Sequence, residues 1–84
     1  MYNILVCDDE KDIVNSLNIY LTAEGYTVQC AYNGKEAIAL AESCNFHLIL
    51  LDIMMPIIDG ITALSAIRER SNVPIILLTA KSED

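Results

Sequence analysis

Leu48-Ile49-Leu50-Leu51-Asp52 is an unbroken aliphatic run that ends in a carboxylate, and Ile53-Met54-Met55-Pro56-Ile57-Ile58-Asp59-Gly60 follows it directly. Branched aliphatics without polar interruption suit a strand covered on both faces, the kind found inside parallel sheets. Asp52 is the first charge after the run, so it stands at a mouth and not in a core. Pro56 prevents further pairing, and Asp59-Gly60 reads as a loop closing into the next helix, with Asp59 as its N-cap. The side chains of Met54 and Met55 read as packing.

The same arrangement occurs earlier. Residues 4–7 are apolar and end abruptly in Asp8-Asp9-Glu10. A helix is expected over residues 12–24, where Ile13, Leu17, Tyr20 and Leu21 recur at helical spacing and Gly25 stands where a C-terminal cap belongs. Residues 26–31 alternate, with Val28 and Cys30 on one side and Thr27 and Gln29 on the other, as in a half-covered edge strand. Asn33-Gly34 supplies a turn and cap for an alanine-rich helix over residues 35–43, which turns Ala37, Leu40 and Ala41 to the sheet. After the central strand, Ile61, Leu64 and Ile67 mark a third helix that closes on Arg68 and Arg70, cations suited to the negative end of a helix dipole. Asn72-Val73-Pro74 breaks it, and residues 75–78 read as a fourth strand leading into Thr79-Ala80.

Four strands alternating with three helices imply a parallel α/β sheet, because parallel neighbours need a crossover long enough to hold a helix. With the alternating second strand at an edge, the order is 2-1-3-4, and the winding reverses between strands one and three. Ligands in such sheets bind at the carboxyl ends of the strands flanking the reversal, and those ends carry Asp8, Asp9 and Asp52.

The 84 residues, 54% of them hydrophobic, allow one domain and one core. A net charge of -7 argues against holding DNA by general attraction and favours a small cation as guest. Cys7, Cys30 and Cys44 form an odd, widely spaced set, which fits reduced thiols in a cytoplasmic protein. The first apolar run is too short for a signal or a membrane span. His47, ahead of the central strand, reads as a surface loop residue.

Three converging carboxylates repel one another by roughly 4 kcal/mol per pair at 4 Å and an effective dielectric near 20, so they call for a proton or a cation. All-oxygen ligands at a wet mouth favour Mg2+ or Mn2+. The expected ligands are Asp9 and Asp52, with a backbone carbonyl just after Asp52, near Met54. A cation there draws in a phosphoryl group, and Asp52 becomes the nucleophile that forms an acyl phosphate. Thr79, at the end of the next strand, can donate a hydroxyl hydrogen bond to the phosphoryl oxygens.

These residues carry a family resemblance. The acidic pair Asp8-Asp9 after an apolar strand, Asp52-Ile53-Met54-Met55-Pro56, Asp59-Gly60 and Leu78-Thr79-Ala80 resemble, in that order, the motifs of two-component response regulator receiver domains. The similarity runs from Ile4 to about Asp84. It implies a flavodoxin-like α/β fold, Asp52 as acceptor of phosphate from a sensor histidine kinase, Asp8 and Asp9 as helpers in Mg2+ binding, and Thr79 as the residue that reports phosphorylation. The wording most resembles regulators with a winged-helix DNA-binding domain downstream. A receiver is a phosphoacceptor and not a turnover enzyme.

The family pattern continues with a fourth helix, a fifth strand ending in a lysine, and a fifth helix. Residues 1–84 therefore read as an incomplete receiver, impaired in phosphorylation. Lys81 reads as a loop cation and not as a substitute for that lysine. The fourth strand is written like an interior strand, so an open edge there invites a homodimer or an exchange of elements. Two rival classes are a phosphatase of the haloacid dehalogenase type, whose second motif acid is replaced here by Met54, and a flavodoxin-like cofactor binder, whose phosphate loop is replaced by Asp8-Asp9-Glu10. A third reading is a non-signalling interaction or dimerisation fragment.

Overall fold

The computed structural model describes residues 2–78. Strand β1 (Asn3–Cys7) is followed by α1 (Lys11–Ala23), β2 (Thr27–Ala31), α2 (Gly34–Ser43), β3 (Leu48–Asp52), α3 (Gly60–Arg68) and β4 (Ile75–Leu78). All pairings are parallel and the order is β2-β1-β3-β4, as the alternation of β2 and the continuous apolar runs of the other strands require. Thr79 and Lys81 lie outside the described residues.

Period-two alternation sorts the side chains of β1 onto two faces. Leu5 and Cys7 join Ile49, Leu51, Ala37, Ala63 and Ile67 beneath α2 and α3. Ile4 and Val6 meet Val14 of α1, with Leu17, Leu21 and Val28 packed around them. The small residues Ala37 and Ala63 are fully buried, which lets α2 and α3 lie close to the sheet. Leu48 and Leu50 are only half-buried on the α1 side, so among the described residues the central strand is fully covered on one face and partly on the other.

Local chemistry sets the helix ends. Asn33 accepts from the Glu36 amide at 2.9 Å while Glu36 Oε1 accepts from the Tyr32 amide at 2.8 Å, so side chains at both ends of the first turn satisfy exposed backbone donors, as in a capping box. Asp59 accepts from the Thr62 amide at 2.8 Å, the N-cap expected of it, and that hydrogen bond holds its carboxyl below the usual range. Gly25 takes φ +97° after α1, and Tyr26 returns its amide to the Leu21 carbonyl. Arg68 Nη1 donates to the carbonyls of Ser71 and Val73, tying the end of α3 to the turn before β4.

Three packing expectations are corrected. Helix α1 buries Val14 while Tyr20 is exposed, because a stripe through residues 14, 17 and 21 faces the sheet. In α3 the buried positions are Ala63 and Ile67, and Ile61 in its first turn is exposed. Met55 packs in the core, but the Met54 side chain is 60% exposed. Among the described residues no helix is long and apolar enough to cross a membrane.

Candidate functional site

The register of β1 on β3 builds the site. Cys7 pairs with Leu51, so the residues that follow, Asp8 and Asp52, leave adjacent strands side by side, about 5 Å apart by strand spacing. Asp9 turns up from the loop after β1. Carboxylate oxygens of Asp8, Asp9 and Asp52 lie within 4.8 Å of one another. Asp52 is fully buried, Asp8 is 2% exposed and Asp9 faces solvent.

Backbone groups hold the acids in place. Asp8 Oδ1 accepts from the Glu10 amide at 2.9 Å, just ahead of α1, whose N-terminal end favours negative charge. Asp8 also donates its amide to the Ala31 carbonyl of β2. Asp52 Oδ1 faces the Met54 amide at 3.4 Å, which places the Met54 backbone at the same mouth. Oxygens on one octahedral Mg2+ lie about 3–4 Å apart, so the triad fits such an ion with a small inward movement. Hard oxygen donors also suit Mn2+ and exclude a soft metal.

Cys7 marks the charge at this end of the sheet. Burial first, then the nearby Asp8, Glu36, Asp52 and Asp9, push its thiol up to about 12. Its Sγ lies 3.3 Å from the Asn33 carbonyl and 3.4 Å from Met55 Sδ. Cys7 is therefore expected to resist iodoacetamide at pH 8 in the native protein and to react once urea unfolds it, which peptide mapping reads directly. Rapid native alkylation of Cys7 would contradict its placement.

Gly60 shapes the mouth, and a strained turn at Ile57 lies in the loop that leaves it. Gly60 donates its amide to the Ile53 carbonyl at 2.8 Å, and a Cβ on it would strike the Asp52 carbonyl and come within 2.7 Å of Ile53 Cα. The Asp-Gly pair was the available signal. Ile57 has φ +72°, and the Ile58 amide donates to the Pro56 carbonyl at 2.8 Å around it, the pattern of a strained γ-turn. Such a conformation costs a β-branched residue about 1–3 kcal/mol, against an entropic cost of about 0.5–1 kcal/mol for glycine. Ile57→Gly is thus expected to stabilise the protein by about 1 kcal/mol in urea unfolding, and a loss of stability would show that the turn is not strained.

His47 lies far from the acids. Its Nδ1 accepts from the Asn3 amide at 2.9 Å and its ring meets Tyr2 edge-on, so it secures the amino end of β1. A cavity of about 240 Å³ also opens away from the acids, between α2 and α3, with Phe46, Ile49 and Val73 in its wall and Glu42 and Arg70 at its rim. It contains none of the clustered carboxylates.

Comparison with known proteins agrees with this geometry. The family described as "Response regulator receiver domain" matches residues 4–84. The transcriptional regulatory protein ResD of Bacillus subtilis is 52% identical over 81 residues, which make up 96% of this chain and 34% of ResD. SrrA of Staphylococcus aureus is 46% identical over the same shares. The chain thus spans about a third of the length of these curated relatives. Among solved structures, the response regulator TrrA of Thermotoga maritima, in complex with Mg2+-BeF, superposes with a TM-score of 0.89 at 44% identity, covering 98% of this chain and 72% of that one. The Vibrio cholerae chemotaxis protein CheY4 gives 0.91 at 32% identity, covering 99% and 72%.

Proposed function

The chain belongs to the response regulator receiver domain family, and on that premise we propose that Asp52 accepts a phosphoryl group from a sensor histidine kinase beside a Mg2+ or Mn2+ ion held by Asp8, Asp9, Asp52 and the Met54 carbonyl. The observation that carries the reading is the gathering of three carboxylates from two strand ends within 4.8 Å. Three acids so close repel one another, and they are arranged where a doubly wound sheet takes its ligands. TrrA, solved with Mg2+ and BeF, supports the choice of ion.

In this reading Asp52 is the nucleophile. One carboxylate oxygen forms the new bond to phosphorus while the bond to the donor's leaving atom breaks, and the leaving group keeps the electron pair. The bound cation supplies neutralising charge to the phosphoryl oxygens. Asp8, fixed by the Glu10 amide, and Asp9, open to solvent, would hold the ion. Thr79 would donate its hydroxyl to the transferred group. The product is a phosphoprotein, and the only turnover expected is slow self-dephosphorylation, in which water takes the phosphoryl group and Asp52 is restored.

The reading extends to setting and partners. The three unpaired cysteines suit the cytoplasm. ResD and SrrA are transcriptional regulatory proteins, and control of transcription is the output proposed for this receiver. A second copy along β4 is a further partner, favoured by Ile76, which is 52% exposed on that strand. Sedimentation is then expected to give a mass that rises with concentration, and a monomer at every concentration would remove this partner.

Incubation with acetyl phosphate and Mg2+ is the test of function. Incorporation on Asp52 that is slower than in a complete receiver, and that stops when the metal is chelated, is the expected outcome. Equal incorporation with chelator present, or none under either condition, would overturn the reading.

A further inference from the structure

At the end of the sheet remote from Asp52, the carboxyl ends of α2 and α3 flank the cavity of about 240 Å³. Ile49 of β3, fully buried, lines it together with Ile38, Phe46 and Ile67. Phosphoryl acceptance makes no use of this space. An apolar cavity of about 150 Å³ is already enough to hold benzene, so this one has room for a ring and a short chain.

The rim is charged, and its charges are unevenly met. Helix α3 closes on cations, with Arg68 Nη1 donating to the carbonyls of Ser71 and Val73. Helix α2 has no basic residue in its last turn and carries Glu42 there, a carboxylate at the negative end of a helix dipole. Among the described residues, nothing donates a hydrogen bond to the carbonyls of Ala41, Glu42 and Ser43. Arg70 Nε stands 3.7 Å from Glu42 Oε2, but the two side chains are 72% and 49% exposed, and a pair so placed contributes little. The α2 end therefore presents surplus negative groups beside an apolar space.

We infer that this cavity binds a small amphiphilic amine, an aromatic ring joined by a short alkyl chain to a primary ammonium. The ring displaces water from Ile38, Phe46 and Ile49, where the wall offers it no polar partner. The ammonium, with three donors and no acceptor, belongs at the α2 end, where the Glu42 carboxylate and the open carbonyls accept from it. A net charge of -7 draws a cation toward the chain and repels an anion. A carboxylate ligand would meet Arg70 alone, with Glu42 and two helix carboxyl ends against it. The site stands apart from Asp52, so either reading can fail without the other.

The test follows amide spectra of isotope-labelled protein as three probes are added: 2-phenylethylamine, 2-phenylethanol and 3-phenylpropionate. They share a ring and differ in charge. The amine is expected to shift the signals of Ala41, Cys44, Phe46 and Ile49 in a saturable way, with a dissociation constant of about 1 mM or below, while Asp8 and Asp52 stay in place. The alcohol should bind about fivefold more weakly, and the carboxylate more weakly still. Glu42→Gln should lower affinity for the amine about fivefold and leave the alcohol unchanged. Arg70→Gln removes the competing cation and should raise affinity for the amine. Ala66→Leu enlarges a side chain in the wall and should abolish binding of all three probes, with the same spectra reporting that the fold is kept. Shifts that do not saturate, a carboxylate that binds more tightly than the amine, or amine binding unchanged in Glu42→Gln would overturn the inference.

Discussion

Asp52→Asn is expected to abolish phosphoryl incorporation and, in the metal-free protein, to raise stability. The first effect follows from removing the nucleophilic oxygen, since an amide does not form the acyl phosphate. The second follows from the crowding of the three acids. At 4.8 Å and an effective dielectric near 20, each pair of like charges costs about 3 kcal/mol, and the substitution removes the two pairs that involve Asp52. Solvent around exposed Asp9 and the backbone donors near Asp8 reduce the gain, so about 1–3 kcal/mol is expected in urea unfolding without metal. The asparagine oxygen still accepts from the Met54 amide, which preserves the loop. Added Mg2+ should stabilise the unaltered chain and leave the variant nearly unchanged, because binding to the native state alone raises its stability. A variant less stable than the parent without metal would mean that the acids are not in mutual repulsion.

Gly60→Ala should be strongly destabilising, more so than an added methyl at Gly25 or Gly34. The new carbon meets backbone on both sides, the Asp52 carbonyl and Ile53 Cα, and neither can swing aside as a flexible side chain would. The end of β3 or the start of α3 must move, which breaks the Gly60 to Ile53 hydrogen bond and shifts Asp52 relative to Asp8. Overpacking of this kind costs about 3 kcal/mol or more, a large share of the 5–15 kcal/mol typical of a whole domain. The urea midpoint should fall sharply, and Mg2+-linked stabilisation should fall with it. Gly60→Ala with normal stability would show that α3 does not approach β3 so closely.

Much of this was legible in the chain, for reasons that differ by element. The parallel sheet and its order followed from the aliphatic run at residues 48–51 and the alternation at 27–30, because coverage on one face or two leaves a direct imprint on polarity. The caps at Asn33 and Asp59 were readable because a short acceptor side chain at a helix start has one main use. Asp8, Asp9 and Asp52 could be gathered because strand ends at a reversal of winding share one mouth. The rotation of α1 was not readable. Ile13, Val14, Leu17, Ile19, Tyr20 and Leu21 satisfy two stripes one residue apart, and only packing on β1 chooses Val14 over Tyr20. The exposed Met54 and the turn at Ile57 ran against the usual preferences of those side chains, so no local rule signals them. The role of Thr79 rests on family resemblance, since that residue lies outside the described chain.

The account depends on one seat for one divalent ion. Titrating Mn2+ into isotope-labelled protein and recording amide spectra tests it most directly, since the paramagnetic ion erases signals close to it. Signals of Asp8, Asp9, Asp52, Ile53 and Met54 should vanish together at the lowest additions and return when excess Mg2+ displaces the manganese. Broadening that begins instead at the acids of α1 and α2, Asp12, Glu36 or Glu42, or that spreads evenly over the surface, would contradict it.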